Sequence, residues 1–217
     1  MPTRHLIRGF HGTTLAFAQQ IVANQQVKIS TNDYDWLGHG AYFFQDGPVR
    51  AWKWATQLSK TKNSPPAVVS ADLELRGCVD FLDIVNWRFL LLAEQQLRAA
   101  NALPSQTSPV VRSANGSRCR IVNPNPVAGP VGRNTLDCAV VKLAVHSLRG
   151  SGIPVQSVRG AFVEGQQLYD DSYFFDHSHV QIAVLDPTVI VAGSLAIEDR
   201  NTLKQAYDLS GMKRVPV

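Results

Sequence analysis

Apolar residues recur at i, i+3 and i+4 in several stretches of the chain and alternate in others, and the two periods divide it into elements. Arg4–Phe10 reads as a strand ending at His11-Gly12-Thr13-Thr14. Behind it, Leu15, Ala18, Ile21 and Val22 share one helical face, with Thr13 or Thr14 as N-cap. Val27–Ser30 is a short extended piece and Gly40–Phe44 an aromatic strand. Asp46-Gly47-Pro48 signals a helix start, and Ala51, Trp52, Ala55 and Leu58 form the stripe that follows. Ala67–Leu73 predicts a strand, Asp83 caps a helix running to Ala100, and Thr135–Leu148 is another helix. Ala161–Val163, His179–Leu185 and Val189–Leu195 complete the strands. Strands and helices mix without regular βαβ alternation, so an α+β fold is expected.

On the strand that includes Gln181, the pattern separates two faces. Val180, Ile182 and Val184 lie on one, and His177, His179, Gln181 and Ala183 on the other, so Gln181 is expected to point away from the core.

A chain of 217 residues suits one domain with a core of its own, and a charged fraction of 18% argues against disorder. No apolar run reaches 18 residues and the N-terminus has no apolar signal core, so no membrane partner is expected. Three cysteines without a CxxC pair point to a reducing, cytoplasmic setting. The net charge of +4 is concentrated: residues 104–134 hold Arg112, Arg118, Arg120 and Arg133 and no acidic residue. Five Pro, four Ser, four Asn and three Gly make this segment read as one long basic loop within a single domain, residues 1–217. Such a loop is either an insertion or a surface for an anionic partner. There is no GxxxxGK[ST] and no GxSxG, and His177-x-His179 lacks a third ligand, so no metal is expected.

Three segments remain: Phe10-His11-Gly12-Thr13 at a strand end, Gly38-His39-Gly40-Ala41-Tyr42-Phe43-Phe44 before a helix start, and the late strand His179-Val180-Gln181-Ile182-Ala183-Val184. In this order they resemble the NAD-dependent ADP-ribosyltransferases of the diphtheria-toxin and poly(ADP-ribose) polymerase type. That family carries His-Gly-Ser/Thr, then Gly-x-Gly-Ile-Tyr-Phe-Ala-Asp, then a strand beginning with glutamate, where this chain has Gln181.

The resemblance implies split antiparallel β-sheets flanked by helices around an NAD cleft. It implies that His11 orients the cofactor through a ribose hydroxyl and that the Gly12 backbone pairs with the nicotinamide amide. Tyr42 would stack on the nicotinamide ring, with Thr13, Phe43 and Trp52 as further contacts. Gln181 and Glu164, the latter in the loop where the family recognises its acceptor, are the candidates for the reacting end. The expected activity is mono-ADP-ribosyl transfer from NAD to a protein or nucleic-acid acceptor (RNA or DNA), with release of nicotinamide. A toxin-like or defence role would add a neutralising antitoxin partner. Two alternatives stand beside it, an NAD glycohydrolase and a non-catalytic NAD- or ADP-ribose-binding module.

Overall fold

The computed structural model describes residues 6–102 and 134–210, for residues 208–210 the backbone only. The basic loop lies outside the described residues except for Asn134. The fold is α+β. Strands β1 (Leu6–Thr14), β2 (Ala41–Gln45), β3 (Pro66–Glu74), β4 (Cys78–Asp80), β5 (Ser157–Phe162), β6 (His179–Val184) and β7 (Ala196–Ile197) form one sheet in the order β4-β5-β6-β2-β1-β3-β7. All neighbours run antiparallel except β4 and β5, so one mixed seven-stranded sheet stands where split antiparallel sheets were expected. The helices are α1 (Leu15–Asn24), α2 (Pro48–Lys62), α3 (Trp87–Ala99), α4 (Thr135–Gly150) and α5 (Arg200–Ser210).

The central joint of the sheet is its thinnest. β1 pairs with β3 along its whole length, Leu6 to Thr14, but with β2 only at Gly9↔Gln45 and Phe10↔Phe44. Beyond Phe10 the ladder between β1 and β2 stops. The sheet is thus two halves, β7-β3-β1 and β2-β6-β5-β4, joined at a short seam.

Helix α1 packs Ala18 and Ile21 on Ala41, Phe43, Val69, Ala71, Ile182 and Val184. The opposite face carries α2, whose Ala51 and Trp52 cover Phe10, Phe44 and Val68 together with Leu203 of α5. Farther along that face, Val141, Val145 and Leu148 of α4 close over Val158 and Ala183. Residues facing each other across an antiparallel ladder share a side of the sheet. The registers therefore put Phe10, Phe44 and Gln181 on the α2 side, and His11, Phe43 and Ile182 on the α1 side.

Several boundaries differ from the periodic reading. β1 extends through His11-Gly12-Thr13-Thr14, and Thr14 is the N-cap in extended conformation, without a side-chain cap bond. Val27–Ser30 makes only an isolated bridge, Ser30↔Gly40. Asp83 caps a 3-10 turn, Ile84–Asn86, its carboxylate accepting from Val85 N–H, and the α-helix begins after that turn. Val189–Leu195 is not a strand: a 3-10 turn, Pro187–Val189, leads to the two-residue β7. Strand β4 was not read in advance, since three residues cannot establish a period, and helix α5 was missed although Leu203, Ala206 and Tyr207 recur at helical spacing. No helix among the described residues is long and apolar enough to cross a membrane.

Candidate functional site

His11 lies just past the last β1–β2 pair, where a backbone ladder bond is missing. Its ring fills that place, with Nδ1 2.8 Å from the Tyr42 carbonyl oxygen. A carbonyl only accepts, so Nδ1 carries the proton and the neutral ring keeps Nε2 as an acceptor. Burial lowers the imidazole pKa, outweighing the Tyr42 carbonyl, which favours the protonated ring. His11 thus holds together the two motifs that the sequence separates by 31 positions. The His11 ring also lies 5.8 Å from the Phe43 ring, tilted by 54°.

The other nominated residues occupy varied places. Phe43 is fully buried in the α1 core, so its side chain backs His11 and presents no surface to a ligand. Trp52 is 5% exposed and packs with Phe10, Phe44 and Val68. Thr13 is buried. Gly12 faces α2 so closely that a Cβ there would lie 2.3 Å from the Ala51 carbonyl oxygen, so packing alone demands glycine. The Tyr42 hydroxyl accepts from Leu37 N–H at 2.9 Å and donates to the Gly38 carbonyl at 2.7 Å. Burial of the phenol pushes its pKa up, against the Leu37 hydrogen bond. Tyr42 therefore clamps the turn that precedes its own strand. His39, the middle residue of Gly38-His39-Gly40, turns to α4, where Nε2 meets Lys142 Nζ at 3.2 Å.

Gln181 lies across β2 from the seam, opposite Phe44. Its Oε1 accepts from Trp36 Nε1–H at 2.6 Å. Around it runs a chain of rings: Trp36 against Phe162 (4.8 Å), Phe162 against His179 (5.6 Å) and His179 against Phe44 (4.9 Å). Arg50 closes the chain, its guanidinium 5.0 Å over the Phe44 ring and 2.5 Å from Glu164 Oε2. His179 Nδ1 donates to the His177 carbonyl at 2.6 Å, and its buried Nε2 has no hydrogen-bond partner among the described residues. Burial, and then the neighbouring Arg50 charge, push its pKa down to about 3. His179 is a neutral ring at pH 7.

Because His11 and Gln181 lie on opposite sides of the sheet, their side chains do not converge directly; β2 links them. The sequence did not single out Trp36, Arg50 or Phe162 as working with Gln181; of this group, alternation placed only His179 on its face. The available signal was Trp36 standing two residues before Gly38, on an otherwise polar stretch. Two grooves flank the region. One of about 640 Å³ lies between the Leu37–His39 turn and α4, and one of about 470 Å³ reaches from Trp36 and Gly160 to α3. Neither is lined by His11 or Gln181.

Compared with protein-family models, with curated proteins and with solved structures, the chain gives no match.

Proposed function

We propose that the protein is a mono-ADP-ribosyltransferase that cleaves NAD between nicotinamide and ribose and moves ADP-ribose to a macromolecular acceptor, protein or nucleic acid. The observation that carries this reading is the His11 hydrogen bond to the Tyr42 carbonyl at the end of a two-pair seam. It joins the His-Gly-Thr and Gly-His-Gly-Ala-Tyr-Phe motifs where the β1–β2 ladder stops, with Gln181 one strand away. Cleaving this bond builds positive charge on the ribose, so the protein's task is to hold NAD and steady that charge. The neutral His11 leaves Nε2 to accept from a ribose hydroxyl. The exposed Leu168, Tyr169, Tyr173 and Phe174, in the loop after Glu164, supply apolar surface for an acceptor.

A second reading, an NAD- or ADP-ribose-binding module without turnover, is favoured by the state of the two nominated reacting groups. Gln181 cannot take a proton, and Glu164 is engaged by Arg50.

Incubation with NAD labelled in the adenylate part and a cell lysate separates these readings. Transfer gives labelled macromolecule sensitive to protease or to nuclease, whichever acceptor is used. A glycohydrolase gives nicotinamide and free ADP-ribose, and a binding module gives neither. Replacing Arg112, Arg118, Arg120 and Arg133 together by Ala tests the basic segment. Four phosphate contacts to a single strand correspond to a log–log salt slope of about −3, which this variant should flatten.

A further inference from the structure

The Gln181 carboxamide is not free to turn. An indole N–H can only donate, so the atom 2.6 Å from Trp36 Nε1 must be the amide oxygen. The Gln181 NH₂ group then points the other way, and it makes no hydrogen bond among the described residues. The Trp36 ring is itself held in place. It lies on Phe162 at 4.8 Å, and a Cβ on Gly160 would come within 2.9 Å of its Cη2, so only glycine at 160 lets the indole lie over β5. Its backbone is fixed one residue on, where Leu37 N–H and the Gly38 carbonyl both bond the Tyr42 hydroxyl.

We propose that Trp36 is a positioning residue that locks the Gln181 carboxamide with its NH₂ group turned away from the indole, making position 181 a hydrogen-bond donor to a ligand oxygen. The proposal deepens the NAD reading and rests on it. The amide oxygen is occupied, so Gln181 serves a lone pair on the ligand, of a hydroxyl or a carbonyl, and not the hydroxyl's proton. A glutamate at this position would still accept from Trp36, but its second oxygen would face that lone pair with another.

Two independent measurements test this. In the NMR spectrum the indole N–H of Trp36, assigned through Trp36→Phe, should move and exchange at least about tenfold faster in Gln181→Leu, with the other three indoles unmoved. An unmoved resonance overturns the pairing. In nicotinamide-release kinetics, Trp36→Phe and Gly160→Ala should each lower kcat about tenfold at nearly unchanged KM for NAD, and Gln181→Glu should lower it at least as much. Trp36→Phe should cost nothing further in a Gln181→Leu background. An equal cost in both backgrounds shows that Trp36 acts through packing alone, and full or raised activity in Gln181→Glu shows that no donor is needed; either overturns the proposal. If the wild-type protein binds no NAD and releases no nicotinamide, the functional reading falls, while the NMR result still decides the pairing of Trp36 with Gln181.

Discussion

The two halves of the sheet hold their candidate residues by different means. In β7-β3-β1, position comes from backbone: a ladder from Leu6 to Thr14 ties β1 to β3, and Val68, Val69, Ala71 and Leu73 are buried along it. His11 inherits its place from that ladder and adds one bond, to a carbonyl. In β2-β6-β5-β4, position comes from side chains. Gln181 is held by Trp36, Glu164 by Arg50, and Arg159 bridges Gln45 at 2.8 Å and Asp80 at 2.9 Å. A backbone-held residue moves only if the strand moves, whereas a side-chain network can be retuned one residue at a time. Changes in the backbone packing around His11 should therefore register as stability, and changes near Gln181 as chemistry or pH response.

The largest expected effect is on the backbone-held half. Gly12→Ala places a methyl 2.3 Å from the Ala51 carbonyl oxygen, a backbone atom that cannot swing aside. Destabilisation of about 3 kcal/mol is expected, seen as a lower denaturation midpoint with unchanged m-value. A wild-type midpoint would mean that α2 yields easily and that the contrast between halves is overstated.

Next comes His11→Ala, which tests whether that half also does chemistry. Nicotinamide release should fall about 10²-fold, while stability drops by only about 1 kcal/mol for the lost hydrogen bond. Turnover at the wild-type rate would remove His11 from the site.

The third test uses pH. His179 has a folded pKa of about 3, below the usual 6.5 of an unfolded chain, so the unfolded state binds its proton first. The stability this contributes is present above pH 6.5 and is lost as pH falls from there toward about 3, at about 1.4 kcal/mol per pH unit. His11, also lowered, adds in the same direction. His179→Phe keeps a ring between Phe44 and Phe162 and removes the titration, so unfolding at a series of pH values should show a flatter acid limb. An unchanged limb would assign the acid sensitivity to other groups.

The smallest effect is expected at the charge pair. Arg50 and Glu164 are partly exposed, with 14% and 25% of their side-chain surfaces open, and a double-mutant cycle with Arg50→Gln and Glu164→Gln should give a coupling of about 1 kcal/mol. A coupling near zero would leave Glu164 free for the acceptor.

Helix α2 and strands β1, β2, β3 and β6 were legible in advance, because each couples a clean period to a boundary residue such as Pro48 or Thr14. The single mixed sheet was not legible, because it depends on β4, a three-residue strand whose pairing partner begins 79 positions downstream at Ser157. For Gln181 the alternation gave the correct face, with Ile182 and Val184 in the α1 core. It gave no sign that Ala183, on the Gln181 face, would be buried as well, since a small side chain reads the same under a helix as in solvent.

The sequence by itself determined the α+β character, the main helices and strands, and the chemical types available at His11, Tyr42 and Gln181. These depend on local period and composition, which act between residues a few positions apart. The tertiary structure decided which atoms of those residues remain available. Contacts from elsewhere in the chain placed a proton on Nδ1 of His11, occupied the oxygen of Gln181 with Trp36, and made Gly12 a point where α2 touches β1. A hydrogen bond uses a particular lone pair or proton, and which one is used depends on the partner that the fold brings within about 3 Å.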